Sequence, residues 1–258
     1  MKPISLKTEH LTCIRGEKVI LNDLSLTFAP GTFYGILGPN GSGKTTLMRH
    51  LCGLLRPQKG SVLLNNTNLL SLPRKHLAKH VSFLPQQQII PDIPVETLVS
   101  YGRYPHLGFS HKLSTKDCEI VQNAMQQTGT TLFAQRSLST LSGGERQRAF
   151  LAMLLAQDTE IILLDEPTTY LDIRHQFEIM ELCRALCSNG KTVIAVLHDI
   201  PLALSSCDHL IVLNDGCCAA TGTPNTLYES GEMERIFGIR LNRGEIENRI
   251  VYTQFPCK

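Results

Sequence analysis

No apolar run in the sequence approaches the roughly 18 residues that a membrane-crossing helix requires. Apolar runs such as "IILL" at 161–164 and "TVIAVL" at 192–197 have the length of buried strands. The N-terminus, "MKPISLKTEH", lacks the apolar segment of a signal peptide. The chain is therefore expected to be made in the cytoplasm and to remain there. Charge of one sign is also scarce: a formal net charge of +2 gives no electrostatic case for wrapping nucleic acid, which favours clustered Lys and Arg. There is no low-complexity tract, repeat, coiled coil or long linker, and 258 residues suffice for one large core with a lobe attached.

Cysteine is plentiful, but the pattern it would need for metal or disulfide work is missing. The nine cysteines stand at 13, 52, 118, 183, 187, 207, 217, 218 and 257, with no C-x-x-C pair and no histidines at zinc spacing. An odd number in a cytosolic setting favours free thiols acting as small buried hydrophobes.

Short apolar runs alternate with turns at the start. "LSLTF" and the Pro30-Gly31 turn predict antiparallel strands leading into a buried strand over Thr32 to Leu37. A helix is expected from about Lys44, "KTTLMRHLCGLL", closed by Arg56-Pro57. Between about 90 and 157 the spacing turns helical, with Ser114 a candidate N-cap; after 158 strand–helix alternation returns. This predicts a strand–helix core interrupted by a helical insert.

"GPNGSGKTT" at 38–46 matches G-x-x-x-x-G-K-[ST] directly between a predicted strand and helix. Its residues Gly38, Pro39, Asn40, Gly41, Ser42, Gly43, Lys44, Thr45 and Thr46 form the expected phosphate loop. The glycines let its N–H groups face phosphates, and the helix N-terminus adds favourable partial charge. Lys44 is expected to bridge β- and γ-phosphates, and the Thr45 hydroxyl to ligate Mg²⁺. "IILLDEP" at 161–167 then delivers two carboxylates at a strand end. Asp165 is placed near Mg²⁺, directly or through water, and Glu166 to polarise an attacking water. A water-directed glutamate favours hydrolysis over transfer to a small molecule.

"LSGGERQRA" at 141–149 is harder to explain. Ser142 and Glu145 fit a capping box, yet a structural helix start has no use for Gly143 and Gly144 together, since each glycine costs about 1 kcal/mol relative to alanine. Glycine pairs ahead of a helix commonly let N–H groups approach an anion. No second lysine or Mg²⁺-ligating pair completes another nucleotide site within the chain.

These segments, with "FLPQ" (83–86), "YLD" (170–172) and "VLHD" (196–199), occur in family-like order and spacing. The chain resembles the ATP-binding-cassette (ABC) ATPases over essentially its whole length. The resemblance implies an α/β fold, a P-loop NTPase (RecA-like) core with an antiparallel β subdomain over 1–89 and 158–225. It also implies an inserted α-helical subdomain over 90–157 and a short C-terminal tail over 226–258. By the same resemblance Gln86 touches Mg²⁺ and water while sensing a membrane partner, although Gln87 and Gln88 follow immediately and the register could be off by one. His198 corresponds to the switch histidine at the γ-phosphate, and Asp172 to the aspartate of the loop crossing between subunits. Ser142, Gly143 and Gly144 would hold the γ-phosphate of ATP bound by the other subunit's Lys44, which makes the working form a homodimer. Arg15 stands where relatives often carry an aromatic on adenine; it either stacks on the base or points into solvent.

"VETLVSYGRYPHLG" (95–108), "RQRAFLAMLLAQ" (146–157), "DEPTTYLDIRHQ" (165–176) and "VLHDIPLAL" (196–204) resemble a narrower group. These are the ATPases of bacterial iron(III)-siderophore, haem and cobalamin importers, with ferric siderophore or citrate the favoured cargo. That resemblance implies ATP and Mg²⁺ as ligands, and an integral-membrane permease contacted through the insert and Tyr101 to His106. It further implies an extracytoplasmic substrate-binding protein, no nucleic acid, and a place on the cytoplasmic face of the inner membrane. An exporter subunit and a soluble ABC protein of ribosomes or DNA are the competing readings.

Overall fold

The computed structural model describes residues 4–108, 112–169, 171–247 and 249–256, without the side chain of Arg249. Tyr170 and Cys257 thus lie outside the described residues. The chain divides into two compact units, one of 1–71 with 183–258 and one of 72–182.

The first unit opens with β1 (Leu6–Arg15), β2 (Lys18–Phe28), β3 (Phe33–Leu37), α1 (Lys44–Leu51), β4 (Lys59–Leu64) and β5 (Thr67–Asn68). The second unit holds α2 (Arg74–Leu77), β6 (Val81–Leu84), α3 (Val95–Tyr101), α4 (Thr115–Gln127), α5 (Gly143–Ala156) and β7 (Ile161–Asp165). α6 (Ile173–Ser188) begins in the second unit and ends in the first. The first unit then continues with β8 (Thr192–Val196), α7 (Ile200–Ser206), β9 (His209–Asn214) and β10 (Cys217–Gly222). Finally come α8 (Pro224–Ser230), α9 (Glu232–Phe237), β11 (Ile239–Ile246) and β12 (Arg249–Pro256).

In the first unit β1, β2, β4 and β5 form an antiparallel sheet in the order β2-β1-β4-β5. β3 runs parallel between β8 and β9, and every residue of β3 and β8 is buried. A strand flanked on both sides and covered on both faces is read as a continuous apolar run, which is why "FYGIL" and "TVIAV" show no alternation. The expected start at Thr32 is one residue early. α1 is shorter than expected and stops at Leu51, because Gly53 takes φ 72° and closes a Schellman cap. Gly53 N–H donates to the His50 carbonyl (3.0 Å) and Leu54 N–H to that of Arg49 (2.9 Å). Within the expected tail, the described residues 226–247 and 249–256 contribute to α8, α9 and the β11–β12 hairpin around buried Leu227, Met233, Leu241 and Tyr252.

The cysteines are free as expected, but fewer are buried than expected. All eight described ones are free; Cys13, Cys183, Cys187 and Cys207 are buried, Cys52, Cys217 and Cys218 half-buried, and Cys118 exposed. Burial pushes the Cys187 thiol up to about 11.

In the second unit β6 and β7 pair in parallel, and α3, α4 and α5 pack together. Ser114 caps α4 in a capping box whose acidic member is Asp117. Asp117 also accepts from buried Arg103 (2.9 Å), which donates in turn to the Ala156 carbonyl (2.8 Å), so one guanidinium joins the ends of three helices. The Ser114 hydroxyl, then its N–H and Arg103, hold the Asp117 carboxyl down at about 2. A carboxyl depressed on folding contributes stability that is full above its unfolded value near 4 and lost as pH falls towards 2. Ser114→Ala is expected to lower unfolding stability by about 1 kcal/mol at neutral pH. That deficit should shrink below about pH 3 as Asp117 protonates in the native state, and urea unfolding at the two pH values checks both statements.

Candidate functional site

The predicted site residues fall in both units, and each group is built separately. In the first unit, β3 ends in the loop 38–43 and α1 begins at Lys44. The glycines are required by geometry here. Gly38 has φ 155° and a Cβ there would lie 2.2 Å from the Leu213 carbonyl oxygen; Gly43 has φ 100° and a Cβ would lie 2.6 Å from Leu21 Cδ2. α1 has no side-chain cap, which leaves its first N–H groups facing the loop. Lys44 is buried, and its Nζ donates to the carbonyls of Gly38 (2.8 Å) and Pro39 (2.9 Å). The loop thus wraps its own ammonium, a collar that suits an incoming oligophosphate. Thr45 and Thr46 follow on α1, half-buried; Ser42 is buried, Asn40 and Gly41 exposed, and Pro39 half-buried.

His198 lies beyond β8 at the surface, next to Asp199, which caps α7 by accepting from Leu202 N–H (2.8 Å). Arg15 is exposed at the end of β1, beside the turn into β2.

In the second unit, all five residues of β7 are buried, including Asp165 at 1% exposure. Glu166 follows with φ 56°, a left-handed conformation that side chains other than glycine avoid. Its Oε2 accepts from Gln86 Nε2 (2.6 Å) and Thr169 Oγ1 (3.2 Å). Among the three consecutive glutamines, Gln86 is therefore the one directed at the carboxylate. Gln88 Nε2 instead donates to the Pro85 carbonyl (3.1 Å) and to Gln147 Oε1 (3.4 Å). Gln147 was not legible as a neighbour of this group, because its only signal is tertiary contact; Thr169, three residues after Glu166, carried no motif signal.

α5 begins as expected: Ser142 is its N-cap, with a capping box to Glu145. The Ser142 N–H and hydroxyl, then Arg136 and Arg148, hold the Glu145 carboxyl below the ordinary range. A Cβ on Gly144 would meet Leu171 Cδ2 at 3.4 Å, whereas one on Gly143 would meet nothing within 4 Å among the described residues. Neither residue has positive φ. At Gly143, then, no conformation or contact within the described residues calls for glycine. Asp172 is exposed and accepts from His175 N–H (2.9 Å) and Nδ1 (2.7 Å); these bonds, the backbone one foremost, hold its carboxyl below the ordinary range.

Chemically, one group suits the cradling of phosphates and the other the polarisation of water. Comparison with known proteins points the same way. A family model described as ABC transporter matches residues 21–169. The ferric enterobactin transport ATP-binding protein of Escherichia coli K12 is 43% identical over 237 residues, which cover 91% of this chain and 88% of that protein. The hemin import ATP-binding protein of Bordetella bronchiseptica is 40% identical over 246 residues, covering 92% and 93%. Among solved structures, a dimeric ATP-binding cassette in a post-hydrolysis state with ADP and Pi superposes with a TM-score of 0.75 at 30% identity, covering 85% of this chain and 98% of that one. The chain belongs to the ABC transporter family, as an ATP-binding subunit that hydrolyses ATP.

Proposed function

We propose that the protein powers the uptake of an iron(III) chelate, a siderophore or ferric citrate, through a separate integral-membrane permease. The observation that carries this reading is full-length similarity, at about 40% identity, to import subunits named for ferric siderophores and haem. Haem is the second reading, favoured by the hemin relative.

Lys44 exchanges its loop carbonyls for the β- and γ-phosphate oxygens of ATP, and residues 38–46 surround the phosphates. Glu166, oriented by Gln86 and Thr169, accepts the hydrogen bond of the attacking water and draws off its proton. His198 contacts the γ-phosphate. By the family resemblance Thr45, Gln86 and Asp165 would hold Mg²⁺ through hard oxygen donors, and the ion would neutralise phosphate charge. Ser142, Gly143 and Gly144 meet the γ-phosphate of a second copy, and Asp172 lies in the crossing loop. The open space over Gly143 supports this, since a phosphate needs that space and the described residues leave it unfilled. Closure of two copies on two ATP, and reopening after hydrolysis, would rock the permease.

No helix among the described residues is long and apolar enough to cross a membrane. The protein's similarity to import ATP-binding subunits supports a place on the cytoplasmic face of the inner membrane, held by its permease. Tyr101 and Tyr104, 39% and 52% exposed with rings stacked at 5.1 Å, are apolar enough to serve that contact. An extracytoplasmic binding protein would deliver the chelate. Deleting this subunit should abolish uptake of labelled ferric siderophore, and the protein should copurify with an integral-membrane permease. Undiminished uptake of ferric siderophores, ferric citrate and haem, or copurification with ribosomes or DNA, would remove the assignment.

A further inference from the structure

We propose that Gln147 is a positioning residue for the hydrolytic carboxylate, acting through the backbone of Pro167. The inference rests on the role given above to Glu166. Gln147 lies on the first turns of α5, and its Nε2 donates to the Pro167 carbonyl (3.1 Å). Its Oε1 accepts from Gln88, so a single amide joins α5, the glutamine loop and the segment leaving β7.

That segment needs a restraint. Glu166 is held at φ 56°, and relaxation of this strain would swing its carboxylate. On one side the parallel pairing of β7 with β6 fixes the chain up to Leu164. On the other side Pro167 has no N–H to donate, the Glu166 carbonyl accepts only from nearby Thr169 N–H (3.3 Å), and the Pro167 carbonyl is tied to a distant element through Gln147. A cavity of about 260 Å³ that Gln147 itself lines, with Gln86, Gln88, Phe150 and Thr169, leaves that amide room to move once the tie is cut. The same helix carries Ser142 and Gly143 one turn earlier, so displacement of its first turn reaches Glu166 through Gln147.

Two variants of the full chain test this in steady-state ATPase assays. Gln147→Leu removes the donor at similar volume; kcat should fall about tenfold while KM for ATP stays within about twofold. Gln147→Glu places a carboxylate against the Pro167 carbonyl at pH 8 and should show the same loss. Half-burial against a carbonyl oxygen favours the neutral form, so this carboxyl regains a proton above the ordinary carboxylate range as pH falls and can donate again. Its activity relative to the wild type at each pH should then recover several-fold, which a purely structural role would not produce. A ratio that stays flat with pH overturns the proposal, as does wild-type kcat in Gln147→Leu or a rise in KM alone. Should Gln147→Leu fail to fold, the pH ratio of Gln147→Glu still decides. Full turnover in Glu166→Gln would instead sink the role of Glu166, which separates the two failures.

Discussion

Glu166→Gln is expected to lower ATP turnover about 100- to 10,000-fold while leaving ATP affinity within about twofold. The substitution keeps the volume and the ability to accept from Gln86 and Thr169, but removes the negative charge that polarises water. Binding energy comes mainly from Lys44 and the phosphate loop, whose contacts the substitution leaves intact, so affinity has little reason to change. With ATP bound and not consumed, two copies should remain closed on each other in the presence of the permease. Sizing by light scattering checks this: a Glu166→Gln protein that stays monomeric with ATP and permease removes the two-copy mechanism. Turnover close to that of the wild type would remove Glu166 as the group acting on water.

Lys44→Ala is expected to weaken ATP binding about 100-fold. A hydrogen bond to a charged group contributes about 1.5–3 kcal/mol, and this ammonium faces an anion from a buried position. The free loop should survive the change in fold, because its curvature depends on Gly38 and Gly43 and not on the lysine. It should still lose its internal tether, since the Gly38 and Pro39 carbonyls lose the Nζ donor. Titration with a fluorescent ATP analogue gives the affinity directly. Unchanged binding would show that the collar around Lys44 is a structural plug and not a phosphate site.

Much of the fold was readable because its elements are strongly patterned. The buried strands announce themselves as "FYGIL", "IILLD" and "TVIAV"; Ser114 is the expected N-cap of its helix, and Ser142 opens its helix with the expected capping box. The end of α1 was misplaced because two signals compete there: apolar spacing continues through Leu54 and Leu55, while Gly53 ends the helix by adopting positive φ. The reading of the cysteines as small buried hydrophobes falls short at Cys118 for a similar reason. Cys118 has the right chemistry for a core position but sits on the solvent side of α4, and only the packing of that helix decides which side that is.

The sequence by itself determined the chemistry: a lysine on a glycine-rich loop between strand and helix, paired carboxylates at a strand end, and a serine–glycine pair opening a helix. These signals are local, since each depends on residue types a few positions apart and on the backbone conformations they permit. Tertiary structure decided what is long-range. It selected Gln86 over Gln87 and Gln88 by bringing it 2.6 Å from Glu166, eighty residues later. It also placed Gln147 under Pro167, and showed that nothing among the described residues fills the space over Gly143. Contacts between residues far apart in the chain are set by how helices and strands pack, and no periodicity or short motif encodes them.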